Sequence, residues 1–89
     1  MVTRLSSTDT AATVRRILKD HGRLGVDATS LGETENLYGA GMTSHASVNV
    51  MLALENEFEV EFPDQMLNRG TFDSVASIRT AIESLLPAS

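Results

Sequence analysis

Apolar residues along the chain fall into three helical registers separated by polar and glycine-containing stretches. In STDTAATVRRILKDHG, Ala11, Val14, Ile17 and Leu18 keep the spacing of a single helix face, Thr8 or Asp9 can cap the start, and Gly22 can close the end. The spacing predicts a first helix over about residues 9–21. A second register begins at Thr43 or Ser44, either of which can accept from the free amides of a first turn, and runs to Glu57 or Phe58. The third places Phe72, Val75, Ile78, Ile82 and Leu85 on one face of a helix over about 72–86, with Thr71 as its cap and Pro87 just beyond it. Between the first two registers lies a loop of about twenty residues, a length uncommon in compact domains unless it serves a function. A short helical turn is expected in it near residues 33–38, and Leu24, Val26, Leu31, Leu37 and Tyr38 are expected to pin it to the core. The stretch EVEFPDQMLNRG reads as an extended bend through Pro63 followed by one or two turns ending near Gly70. These elements make the fold class all-α: a small four-helix bundle of three longer helices and one short one, with a long loop between helices 1 and 2.

The second register holds more apolar residues than one buried face needs. At about 100° per residue, Val50, Leu54, Phe58 and Met51 cluster on one side, with Ser47 among them, as a core stripe. Val48 and Leu52 fall elsewhere, on the side of Ser44 and His45, flanked by Asn49, Glu55 and Asn56. This second stripe has two readings: contact with the long loop or the short helix, or a docking patch with an acidic rim.

Composition removes several function classes. The 89 residues suit one domain spanning 1–89, with 1–7 and 87–89 expected to be flexible, and 42% of them are apolar without any long apolar run. The opening MVTRLSSTDT lacks the apolar core of a secretory signal, and no membrane anchor is visible, so a cytoplasmic location is expected. No cysteine is present, which removes disulfides and protein thiolate chemistry. The formal net charge is −5, with Glu55, Glu57, Glu59, Glu61 and Asp64 crowded together; such a surface repels nucleic acid and suits a basic partner. His21, in the last turn of the first helix, reads as a surface or capping residue. No metal site is expected: nothing else of ligand type sits at helical spacing from His21, and the acids lack calcium-loop spacing. Ser44 beside His45 is no hydrolase pair, since adjacent helix residues point about 100° apart and no orienting group or oxyanion site accompanies them.

The segment ENLYGAGMTSHASVNVMLALENEFEVEFPD resembles the acyl and peptidyl carrier protein family, through Leu37, Tyr38, Gly41, Ser44, Val48, Leu52, Leu54, Glu55 and Phe58, and TFDSVASIRTAI resembles that family's last helix. The resemblance implies a non-catalytic four-helix carrier in which Ser44 is modified with 4′-phosphopantetheine by a phosphopantetheinyl transferase. The acyl cargo then rides as a thioester on the arm's thiol, so the absence of cysteine is no objection. The implied partner face comprises Met42, Thr43, His45, Val48, Asn49, Leu52 and Glu55, with Glu55, Glu57 and Glu59 steering basic partners: the transferase, a loading ligase and a downstream acyl-accepting enzyme. Thr43 stands where the family usually has Asp, which bears on which transferase accepts the site; His45 stands where it usually has Leu and Asn49 where fatty-acid carriers usually have an acid, and both changes point to a partner set other than that of fatty acid synthesis. More narrowly, GMTSHASVNVMLALE resembles the small bacterial carriers that receive an activated amino acid, such as glycine or alanine, from the aminoacyl-tRNA synthetase-like amino acid:carrier protein ligases. A discrete carrier of a polyketide or nonribosomal peptide pathway, and a carrier-like adaptor without the cofactor, stand as alternatives.

Overall fold

The computed structural model describes residues 7–25 and 27–86, without the side chains of residues 7–9 and 29. The ends expected to be flexible, apart from Ser7, and the expected loop anchor Val26 lie outside the described residues. Helix α1 spans Ser7–His21, α2 Ser44–Phe58, α3 Arg69–Phe72 and α4 Val75–Leu85, with 3₁₀ turns at Ala28–Ser30 and Asp64–Met66. The described residues form no strand, and the all-helical class, with three longer helices and one short one, agrees with the pattern of apolar positions.

α1 packs against both α2 and α4, while α3 packs on α4. Its apolar face supplies Val14, Ile17 and Leu18 to the core; α2 supplies Ala46, Val50, Leu54 and Phe58, and α4 supplies Val75, Ile78 and Ile82. Met51 lies only partly buried at the edge of the α2 core stripe. Phe62 and Phe72 meet edge to face, with ring centroids 5.2 Å apart, and so close the connection between α2 and α3 over the core.

Three boundaries differ from the sequence expectation. α1 begins at Ser7, so Thr8 and Asp9 lie inside its first turn rather than capping it. At its other end Gly22 is needed for space rather than for a left-handed turn: a Cβ there would sit 2.7 Å from the Leu18 carbonyl oxygen, which accepts the Gly22 amide, and the left-handed residue is Arg23. The third register is broken in two. Thr71 is inside α3, whose cap is Asn68, and Gly70 is inside it too rather than at its end; α4 starts only after Ser74, whose Oγ accepts from the Ser77 amide. Phe72 and Val75 keep their spacing across the break because both helices face the same core, so apolar periodicity alone cannot reveal it. The short turn expected at 33–38 is a set of hydrogen-bonded turns, and the 3₁₀ turn forms earlier, at Ala28–Ser30.

The long loop is held at several points. Arg15, half-buried on α1, donates to the carbonyls of Ala28 at 3.0 Å and Leu31 at 2.6 Å. Leu31 and Leu37 are buried in the core, with Leu24 and Tyr38 packed at its margin. From the other side, the Leu37 amide donates to the Asp73 carbonyl, the Ala76 amide to the Glu33 carbonyl, and Arg79 pairs with the Glu33 carboxylate at 2.9 Å. The loop therefore delivers the chain to α2 along a fixed path.

Candidate functional site

The path ends in a tight turn. The Ala40, Gly41 and Met42 amides donate back to the carbonyls of Leu37 and Tyr38, and Gly41 adopts φ +116°, a conformation favourable only to glycine. A Cβ on Gly41 would also come 3.0 Å from the Gly25 amide nitrogen, which donates to the Ala40 carbonyl. Thr43 follows in extended conformation as the N-cap of α2, its Oγ1 accepting from the Ala46 amide at 3.0 Å. Thus the hydroxyl that stands where the related pattern has a carboxylate is used to start the helix.

Ser44 is the first residue of α2 and is exposed. Its hydroxyl has no hydrogen-bond partner among the described residues, and its carbonyl accepts from Ser47 Oγ at 2.6 Å. The amides of Ser44 and His45 are likewise unclaimed, because Thr43 serves only Ala46 through Oγ1 and Ser47 through its carbonyl. A hydroxyl held at the start of a 15-residue helix, beside two free N–H donors and the positive end of the helix dipole, suits a phosphate ester. The exposed serine also leaves room for a bulky substituent, and so the residues present fit a phosphopantetheine group.

The expected partner face divides. Val48 and Leu52 are 49% and 53% exposed, which places the second stripe in solvent rather than against the long loop or α3. His45 is exposed and Asn49 half-buried. Leu52 and Asn49 open into a groove of about 410 Å³ between α1 and α2, across from Arg16, Asp20 and His21. Met42 is a correction: at 2% exposure it belongs to the core, since the turn before Thr43 points it inward, and it cannot offer its side chain to a partner. Glu55 is half-buried with Oε2 accepting from the Phe62 amide, and Glu57 pairs with Arg16 at 2.9 Å, so of the crowded acids Glu59, Glu61 and Asp64 are left free among the described residues.

Sequence reasoning missed two cations. Arg15 anchors the loop, as above, and Arg69 stands over the Tyr38 ring, 3.9 Å from its centroid, joining α3 to the turn that precedes Ser44. Neither partner lies within helical reach along the chain, so no periodicity marks either contact.

The family model described as phosphopantetheine attachment site matches residues 11–83. The chain belongs to that family. It is a carrier domain, built to bear a covalently attached 4′-phosphopantetheine. Among its relatives is the aminoacyl carrier protein of Agrobacterium fabrum, 40% identical over 75 residues, an alignment that covers 84% of this chain and 90% of the relative. It also resembles a chain in the crystal structure of an engineered Bradyrhizobium japonicum glycine:carrier protein ligase complexed with a carrier protein from Agrobacterium tumefaciens and AMP, at 40% identity and TM-score 0.80, covering 82% of this carrier and 97% of that chain. The corresponding complex with ATP gives 38% identity and TM-score 0.82, covering 85% and 99%. No helix among the carrier's described residues is long and apolar enough to cross a membrane.

Proposed function

We propose that this carrier holds an amino acid of the size of glycine or alanine, attached through 4′-phosphopantetheine on Ser44, and presents it to other enzymes without catalysing a reaction itself. When bound, the group supplies a thiol on a flexible arm, where the cargo is held as a thioester. The observation that carries the choice of serine is local: the exposed Ser44 hydroxyl lies beside the unclaimed Ser44 and His45 amides at the start of α2. Those two donors would hold the phosphate ester, and Thr43 and Gly41 would fix the backbone that aims the serine outward. Support for an amino acid as cargo is the likeness, at 38–40% identity, to an aminoacyl carrier and to chains crystallised with a glycine:carrier protein ligase.

The partners that follow are a phosphopantetheinyl transferase, an amino acid:carrier protein ligase resembling an aminoacyl-tRNA synthetase, and a downstream enzyme that accepts the acyl group. Thr43, His45, Val48, Asn49 and Leu52 form their landing surface, with no role for nucleic acid or a membrane. Dependence on such a ligase, whose relative was crystallised with ATP, supports a cytoplasmic location, and residues 1–89 are read as one carrier domain.

Loading tests the cargo. The phosphopantetheinylated protein, incubated with the Bradyrhizobium japonicum ligase, ATP and glycine, is expected to gain one glycyl group that hydroxylamine removes. Attachment of long acyl chains only, or of units characteristic of polyketide or nonribosomal peptide synthesis only, would contradict the aminoacyl reading.

A further inference from the structure

Three of the described arginines spend their guanidinium groups within the fold: Arg15 on the carbonyls of Ala28 and Leu31, Arg16 on Glu57 and Arg79 on Glu33. Arg69 does not. It is exposed, and its contact is with the face of Tyr38, so the N–H donors of its guanidinium have no acceptor among the described residues. Stacking on an aromatic ring restricts the side chain while leaving the edges of the guanidinium outward, the condition in which arginine recognises a carboxylate with two parallel hydrogen bonds.

The platform under it is firm. Leu37, next to Tyr38, is buried and donates its amide to Asp73, directly after α3, while Asn68 caps the start of α3 by accepting from the Thr71 amide at 3.0 Å. The turn that accepts the Met42 amide on the Leu37 carbonyl at 3.0 Å ends two residues before Ser44. Arg69 therefore sits at the Ser44 end of the bundle. Two residues before it, Leu67 is 47% exposed and is, among the described residues, the third large apolar side chain left in solvent with Val48 and Leu52.

We infer that Arg69, held on Tyr38, is a specificity-determining contact for the loading ligase: it receives a carboxylate on that enzyme's docking surface. The carrier carries a net charge of −5, with Glu59 and Glu61 free at the far end of α2. A uniformly basic partner would match that end and be repelled at Arg69. A partner that places an acid opposite Arg69 and bases opposite the glutamates fits both, so one fixed cation sets register and excludes competing enzymes.

This inference rests on the proposed loading by an amino acid:carrier protein ligase. Its test is steady-state loading of wild type, Arg69→Ala, Arg69→Glu, Arg69→Lys and Tyr38→Leu, each first phosphopantetheinylated and checked for helicity, by the Bradyrhizobium japonicum ligase with glycine. Arg69→Glu is expected to raise KM for the carrier about tenfold with kcat within about twofold, Arg69→Ala less, and Arg69→Lys to recover only part of the loss because it keeps charge but not the fork. Tyr38→Leu is expected to behave like Arg69→Lys. Raised salt should narrow the gap between wild type and Arg69→Glu. Unchanged KM in both Arg69→Ala and Arg69→Glu would overturn the inference while leaving the aminoacyl reading intact; a wild-type protein that the ligase does not load at all would sink both.

Discussion

The two ends of α2 are built in opposite ways. At the far end the chain folds back on the helix: Glu59 turns left-handed with φ 54°, its amide and that of Val60 return to the Glu55 carbonyl, the Phe62 amide is taken by the Glu55 carboxylate, and Glu57 is paired with Arg16. At the near end a single cap is made, from Thr43 to Ala46, and the Ser44 hydroxyl and two amides have no partner among the described residues. Both ends follow the same helix chemistry, in which terminal amides and carbonyls need partners from outside the helix. A fold supplies such partners where an end is only structural. Among the described residues such partners are missing at the Ser44 end of α2, the end proposed to bear the arm.

Substitutions at the two ends should therefore separate stability from docking. The largest loss of stability is expected from Phe58→Ala, which empties the closed end of its ring and should cost about 3 kcal/mol in urea denaturation. Thr43→Ala removes the one cap of the open end and should cost about 1 kcal/mol, with faster hydrogen exchange at the Ala46 amide; Thr43→Asp, which keeps a capping oxygen, should restore both. Glu55→Gln weakens the charge-assisted bond to the Phe62 amide, and a loss of about 1 kcal/mol is expected, with a shifted Phe62 amide resonance. Smallest in stability are Val48→Ala and Leu52→Ala, expected within about 0.5 kcal/mol of wild type because both side chains are half in solvent, yet each should raise KM for the loading ligase. Were Leu52→Ala as destabilising as Phe58→Ala, the second stripe would belong to the core and the contrast between the two rows of α2 would fail.

α2 was legible because its signals are local. Thr43 is a capping residue at the right place, Phe58 closes the apolar stripe, and the wheel separates Val50, Leu54 and Phe58 from Val48 and Leu52. What the sequence hid depends on distant partners. Met42, two residues before Ser44, is expected on the docking face, but the positive φ of Gly41 turns the backbone so that Met42 enters the core. The division between α3 and α4 is invisible to periodicity and is marked by Ser74, whose side chain takes the Ser77 amide and starts α4, as Asn68 starts α3. Arg15 and Arg69 bind groups 13 to 31 positions away, as between Arg15 and Ala28 or Arg69 and Tyr38, and only the tertiary fold brings those groups within reach.

The central claim is that the open end of α2 is the attachment point. Intact-mass spectrometry of wild type and Ser44→Ala, each treated with a broad-specificity phosphopantetheinyl transferase and coenzyme A, tests it most directly. The account expects one phosphopantetheine on the wild type, mapped to the peptide containing Ser44, and none on Ser44→Ala, whose circular dichroism and urea midpoint stay at wild-type values. Modification of Ser44→Ala, or a wild-type protein that no transferase modifies, would contradict it.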